Sequence, residues 1–452
     1  MKAIKMLKKS VIITLIIIAI LSIISISISH FQYSKEDKIE KSTVKLISQN
    51  LTEPISPPLK KEESDVVNGY PIRCNADLGF DDYRTEQAFV INPKNNQEMY
   101  INVEYKGFYK STDGGKNWNF SGKGIKALPR KDDSTKPCRQ LHLSLYLDPS
   151  NSQRLLLPGG SAPGRVGEGL GGLSESLDSG KSWHQLFTSN MSAYTENVVT
   201  DPRNSNVVYV TTTAMPQGSS GPDQGKIFIT KGIVYKSIDG GKTWEELSTG
   251  WYENIRATGL FMNSKNPDHL LIATFGLPPG SNVDKKATTE QWGFLETKDS
   301  GKTWSKVDST KGIGIRYIDV SPTSLNRFYM LASKDNIDKV YYSTDGTIIE
   351  ANSPVNFARY DPYDKTGMRL IGFSLYAQPD DFFESLDGGK TWNVVGKLPA
   401  GITNSNRASH ISFDPSEKNT IYINADQARL WKSKNKGMTW ESLLTLESLP
   451  QS

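Results

Sequence analysis

The 452-residue sequence predicts an all-β fold: a single seven-bladed β-propeller with four-stranded antiparallel blades, preceded by an N-terminal apolar helix. Three observations predict it. The word Ser237-Ile238-Asp239-Gly240-Gly241-Lys242-Thr243-Trp244 recurs along the chain. A second word, an apolar strand closed by Asp-Pro or a near variant, recurs in register with it. The distance from one copy to the next suits one four-stranded unit.

The copies of the first word carry Asp113, Asp178, Asp239, Asp299 and Asp387, with Asn435 in the place of the aspartate in the last. Asp345 marks a seventh copy that has lost its second glycine and its Trp. Aspartate followed by glycine in a β-rich context signals a hairpin, because the turn needs the positive φ that glycine adopts cheaply. Short Ser and Asp side chains bond to backbone N–H groups nearby and hold such a turn shut. The Trp is read as opening the next strand and burying a large apolar surface. The truncated copy at Asp345 is expected to form a looser hairpin.

The second word appears as Ile91-Asn92-Pro93, Leu147-Asp148-Pro149, Thr200-Asp201-Pro202, Val320-Ser321-Pro322, Tyr360-Asp361-Pro362 and Phe413-Asp414-Pro415. Met262-Asn263-Ser264 takes the same place in the fourth repeat. Positions 113, 178, 239, 299, 345, 387 and 435 differ successively by 65, 61, 60, 46, 42 and 48. Four strands fit each interval, and closing seven such sheets into a ring leaves no long exposed edge.

The first word resembles the Asp-box, or BNR repeat, of the sialidase-like β-propellers. That superfamily takes in sialidases, sortilin-type receptors, xyloglucan-cleaving hydrolases and photosystem assembly factors. The resemblance covers roughly residues 85 to 446. It implies the propeller fold and puts the boxes far from the ligand pocket, so the box aspartates are read as structural. It does not choose among enzyme, receptor and chaperone, because one fold hosts many functions.

Four segments follow from the chain order. Residues 1–29 hold Lys2, Lys5, Lys8 and Lys9 ahead of an apolar run from Val11 to Ser29, about long enough to span a bilayer. The basic flank keeps the N-terminus cytoplasmic and exports the rest. Two outcomes fit: an uncleaved anchor, or a signal peptide cut near Ser29 that leaves a secreted protein. Residues 30–68 read as a polar linker, 69–84 as a lead-in segment and 85–452 as the propeller. The expected location is the cell envelope, outside the cytoplasm. Cys74 and Cys138 are a disulfide candidate in an exported chain, with two separate thiols as the other reading.

A formal net charge of +4 over this length gives no case for nucleic-acid binding. No Cys/His spacing suggests a metal, and no cofactor is expected. No nucleophile elbow, Walker loop or HExxH word occurs. The glycine-rich run Gly164 to Gly172 precedes a strand rather than a helix, so it does not read as a phosphate cradle.

In a four-stranded meander, the first and third turns share one face. That places the Asp-Pro turns and the boxes together, and sends the long irregular connections to the opposite face. These are Ser121 to Cys138, Gly159 to Gly172, Met215 to Gly232 and Phe275 to Trp292, all in the first four blades. Such loops build clefts or partner surfaces. The candidate ligand face therefore comprises Arg165 and Glu168 with the starts of the innermost strands: Glu86, Arg139, His142, Glu196, Arg256, Arg316, Arg407 and His410. Guanidinium forks suit carboxylates. The sialidase Arg-Ile-Pro word is absent, however, with Tyr70-Pro71-Ile72-Arg73 only a scrambled echo, and surface ion pairs are the competing reading. Three functions remain: binding of a polysaccharide or protein ligand by a membrane-tethered propeller, glycoside hydrolysis by two carboxylates drawn from Glu86, Glu196, Asp132, Asp133 and Glu168, or envelope assembly.

Overall fold

The computed structural model describes residues 89–103, 107–125, 127–129, 137–139, 144–159, 172–187, 194–213, 233–247, 255–276, 292–335, 337–374, 380–400, 402, 408–425, 429–445 and 448–450. The N-terminal run, the linker, the lead-in segment and Cys74 lie outside them, so the anchor and the disulfide candidate are not described.

Seven antiparallel sheets follow one another, each a four-stranded meander. Blade 1 is β1 (Phe89–Ile91), β2 (Met99–Val103), β3 (Gly107–Ser111) and β4 (Asn119–Phe120). A separate hairpin of β5 (Ala127–Pro129) and β6 (Pro137–Arg139) follows. Blade 2 is β7 (Tyr146–Leu147), β8 (Leu155–Gly159), β9 (Gly172–Ser176) and β10 (His184–Phe187). Blade 3 is β11 (Tyr194–Asp201), β12 (Asn204–Thr213), β13 (Ile233–Ser237) and β14 (Glu245–Leu247). Blade 4 is β15 (Ile255–Met262), β16 (Leu270–Gly276), β17 (Gly293–Thr297) and β18 (Ser305–Lys306). Blade 5 is β19 (Gly314–Val320), β20 (Phe328–Lys334), β21 (Ile337–Ser343) and β22 (Ile349–Ala351). Blade 6 is β23 (Phe357–Tyr360), β24 (Leu370–Phe373), β25 (Asp381–Ser385) and β26 (Asn393–Lys397). Blade 7 is β27 (Ala408–Phe413), β28 (Ile421–Ala425), β29 (Arg429–Ser433) and β30 (Glu441–Leu444).

Middle strands are buried on both faces, which is why they read as unbroken apolar runs such as Leu155-Leu156-Leu157 and Ile421-Tyr422-Ile423. The core lies between blades rather than inside them. Val90 and Tyr100 of blade 1 pack with Leu145 and Leu155 of blade 2. Leu156 joins Val208 across blades 2 and 3, and Tyr209 joins Leu270 across blades 3 and 4. Leu271 and Phe328 link blades 4 and 5, and one larger cluster spans blades 5, 6 and 7. Phe89 and Met99 of blade 1 then pack with Tyr422 and Leu444 of blade 7, which closes the ring. Asn96 Nδ2 donates to Asp414 Oδ1 at 3.3 Å across the same seam. Among the described residues no strand is exchanged there, since each of the two blades owns four strands.

The repeated serine–aspartate turn has one construction. In blade 3, Ser237 Oγ donates to Asp239 Oδ1 at 2.8 Å and accepts from Gly241 N at 2.7 Å. Asp239 Oδ1 accepts from Thr243 N at 2.9 Å, and Oδ2 accepts from the Thr243 hydroxyl at 2.6 Å. The residue after the aspartate takes positive φ whether it is Gly240, Ser179, Ser300 or Lys436. The next position is glycine in all six full copies, with φ between 81° and 96°. A second constraint operates there. A Cβ on Gly241 would lie 2.5 Å from Leu186 of the preceding blade, and one on Gly301 would lie 2.5 Å from Leu247. Gly115 meets Leu443 in the same way, so the turn also sets how closely blades 7 and 1 approach.

Two readings of the sequence need correction. The connection Ser121 to Cys138 is not wholly irregular, since it carries the β5–β6 hairpin. The fourth strand begins one residue after the Trp, whose indole in several blades is turned back to bond a carbonyl. Trp118 Nε1 donates to Gly115 O at 3.0 Å, and Trp183 Nε1 donates to Ser121 O of the preceding blade at 2.9 Å. The truncated turn at Asp345 is shorter and keeps fewer of the staple bonds, as expected of a looser hairpin. Ser343 Oγ accepts from Gly346 N at 2.8 Å, and the hairpin pairs over Val340↔Ala351, Tyr341↔Glu350 and Tyr342↔Ile349.

Candidate functional site

The two ends of the blades are built differently. At one end the first and third turns of each blade are bonded together. Gly114 N donates to Gln97 O at 3.0 Å, Ser179 N to Gln153 O at 2.9 Å and Gly240 N to Asn206 O at 2.9 Å. Ser300 N, Gly388 N and Lys436 N make the same bond to Asp268, Met368 and Asn419. In blade 5 the Ser343 hydroxyl replaces it by donating to Asn326 O at 2.9 Å. Both kinds of turn therefore share one stapled face.

The aspartates on that face are spent on the turn. The Asn117 backbone N–H, then its side-chain amide, hold the Asp113 carboxyl down at about 2. The Thr303 hydroxyl and its N–H do the same for Asp299, also at about 2. Their oxygens are taken up in the turn's own hydrogen bonds, which is a structural use.

Of the residues chosen for the opposite face, Glu86, His142, Arg165, Glu168 and Arg407 lie outside the described residues. Arg139 ends β6, where its backbone pairs with Ala127, and Arg256 pairs with Phe275 between β15 and β16. Glu196 and Arg316 sit at β-bulges, where the register skips from Thr195 to Asn197 and from Ile315 to Tyr317. A bulge re-aims one side chain and bends its strand. Here it also lets neighbouring innermost strands be stitched together. Ser144 Oγ donates to Glu196 O at 3.1 Å, Asn197 Nδ2 to Ala257 O at 3.1 Å, and Thr258 Oγ1 to Ile315 O at 2.7 Å. Glu196 is only 3% exposed. The Arg316 guanidinium is held by Asp338 at 2.8 Å and lies 4.7 Å from the Phe275 ring centroid.

His410 does belong to a cluster, and its partners were not singled out from the sequence. It is 3% exposed on β27 and accepts through Nε2 from Arg359 Nη1 at 2.6 Å. A guanidinium has no lone pair to offer, so the imidazole must accept in this contact; Nε2 is the nearer nitrogen, and Nδ1 lies 3.3 Å from the same Nη1. Burial first, and the Arg359 charge second, hold the His410 imidazole well below its usual range, so it is neutral. Arg359 Nε lies 2.9 Å from Asp319 Oδ1, and Asp319 Oδ2 accepts from Tyr360 N at 2.7 Å. Burial pushes the Asp319 carboxyl up, and Arg359 opposes it.

These groups line an axial cavity of about 410 Å³ whose wall also includes Ser412 and Tyr146. A second cavity of about 330 Å³ adjoins it through Tyr146, Pro149, Val320 and Pro322. Its wall is mostly apolar, with Val199, Leu260, Phe261 and Met262. Pro93, Pro149, Pro322 and Pro362, all exposed turn prolines, rim the first cavity, so it opens at the stapled face. The signal was present in the repeats. Asp319, Arg359 and Ser412 stand three residues before Pro322, Pro362 and Pro415, where blades 1 to 3 have Val90, Tyr146 and Val199. Aligning the copies on the proline exposes a column that turns from apolar to polar.

No protein-family profile matches the sequence, and a search of the curated proteins finds no match. Solved structures do align. A GH74 xyloglucanase from Xanthomonas campestris is 13% identical with a TM-score of 0.56, over 79% of this chain and 54% of its own. An ancestral GH74 enzyme is 16% identical with a TM-score of 0.53, over 79% of this chain and 46% of its own. YCF48 bound to D1 peptide is 13% identical with a TM-score of 0.47, over 76% of this chain and 92% of its own. The chain spans about half the length of the two GH74 structures. At these identities the GH74 likeness is one of fold, and the fold is a seven-bladed propeller of four-stranded antiparallel blades.

Proposed function

We propose that this propeller binds a polysaccharide or protein ligand over blades 1 to 4, on the face away from the stapled turns, and that residues 11–29 hold it at the cell envelope. One observation carries the reading: the long insertions fall at one end of the blades only. Between second and third strands, blades 2, 3 and 4 insert residues 160–171, 214–232 and 277–292. The same connection in blades 1, 5 and 7 is residues 104–106, 335–336 and 426–428. The stapled end has no such growth. Long connections on a rigid scaffold are where recognition is built.

Incubating the exported part, residues 30–452, with a polysaccharide panel tests the reading when both retention and reducing-end release are scored. Xyloglucan belongs in that panel because a protein of similar fold is a xyloglucanase. Retention without release supports binding. Release abolished by Glu196→Gln or Glu86→Gln replaces it with glycoside hydrolysis, which needs two carboxyls about 5 to 10 Å apart. If neither occurs, the protein-ligand reading is the one to test next. Co-purification of an envelope complex then favours the assembly reading. Recovery of the chain in membranes, resistant to salt washing, tests the anchor.

A further inference from the structure

We propose a second binding site, in the axial channel at the stapled end, that takes a small monocarboxylate with an apolar body. The two adjoining cavities, about 410 and 330 Å³, are in the size range of small-molecule pockets; both walls are mostly apolar, and the larger also carries a charged cluster that the smaller lacks. Blades 5, 6 and 7 supply Asp319, Arg359, His410 and Ser412. Blades 3 and 4 supply Val199, Leu260, Phe261 and Met262. Such a pair of walls suits a ligand with one polar head and an apolar body.

The head is identified by the donors. Ser412 is 9% exposed, lines the cavity, and its hydroxyl has no hydrogen-bond partner among the described residues. A buried hydroxyl without a partner costs stability, so a site that leaves one open is suited to a ligand atom. Arg359 carries five N–H donors, and its contacts with Asp319 and His410 run through Nε and Nη1. The remaining donors of a guanidinium suit a planar carboxylate. His410 adds no charge. Asp319 is the group that competes with the ligand, because it already neutralises Arg359. This site is separate from the loop-rich face and does not depend on what binds there.

The test is calorimetric titration of the whole chain with octanoate, 4-phenylbutanoate and octanamide, backed by saturation-transfer NMR. Both carboxylates should bind saturably and the amide at least about tenfold more weakly, the difference a charge-assisted hydrogen bond makes. Asp319→Asn keeps the acceptor for Tyr360 N and removes the competing charge, so it should tighten carboxylate binding. Arg359→Gln alone strands a buried carboxylate and risks unfolding. The double change Arg359→Gln with Asp319→Asn removes both charges, and it should lose carboxylate binding while keeping the wild-type circular dichroism spectrum. Absence of saturable binding to the wild-type chain overturns the proposal. So does a double variant that binds like wild type, or an amide that binds as well as the acid.

Discussion

Gly241 and its neighbour Gly240 look interchangeable in the sequence, yet the structure asks different things of them. Both have positive φ, but a Cβ on Gly240 meets only Asn206 Oδ1 at 3.2 Å, whereas one on Gly241 runs into Leu186. Other copies accept Ser179, Ser300 and Lys436 at the first position. Gly240→Ala should therefore cost about 1 kcal/mol, from φ alone. Gly241→Ala should cost about 2 to 4 kcal/mol, because overpacking against the next blade adds to it. Urea unfolding midpoints of the two variants check this, and equal costs would remove the blade-spacing role. The aspartates of the same turns make a pH prediction. Asp113, Asp178 and Asp299 are held at about 2, and the unfolded value is about 3.9. The unfolded chain thus binds protons first as pH falls. Their contribution is fully present above about pH 4 and is lost as pH drops through about 2. Urea midpoints should fall over that window, and a flat profile between pH 4 and 2.5 would contradict it.

At the scale of the element, a charged side chain matters by where it is buried. Arg154 is buried and bonds Glu175 at 2.6 Å and Asp148 at 3.3 Å, then reaches Ser205 O and Gly240 O in blade 3. Replacing it with Ala strands two buried carboxylates, and the cost should be about 3 to 5 kcal/mol. Arg203 also spans two blades, to Asp201 and Asp268, but it is exposed and screened by solvent, so Arg203→Ala should change stability far less than Arg154→Ala. Thermal unfolding of the two variants separates them. This contrast also shows what the sequence could convey. The hairpin word was legible because its bonds are local: Ser237, Asp239, Gly241 and Thr243 bond one another within a few positions. The bulges at Glu196 and Arg316 were not, because a bulge is a mismatch between two strands and leaves no mark in either alone. Arg359 was passed over for a related reason. Its meaning depends on Asp319 and His410, which stand forty and fifty-one residues away and meet it only on the axis of the ring.

For the whole molecule, the repeat predicts seven blades but not how the last meets the first. Closure depends on contacts between residues more than three hundred apart, such as Asn96 with Asp414 and Gly115 with Leu443. Every other pair of neighbouring blades except blades 4 and 5, where Gly346 meets no apolar side chain, uses the same close approach of a turn glycine to an apolar or aromatic side chain, so the seam is an ordinary blade interface. Phe89 and Tyr422 complete it, with ring centroids 5.4 Å apart. Among the described residues, all strands of the ring lie between Phe89 and Leu444. A chain beginning at residue 85 should therefore still close, with a melting temperature within about 2 °C of the full-length protein under reducing conditions. A chain ending at Trp440 should not. It loses β30, and with it Leu444, which is buried against blade 1, and Leu443, which meets Gly115. Removing a strand from a ring also frees an unpaired edge on β29. Soluble, cooperative unfolding of the shorter C-terminal truncation would mean that the ring is held shut elsewhere. Loss of folding in the N-terminal truncation would instead give the first 84 residues a part in closing it.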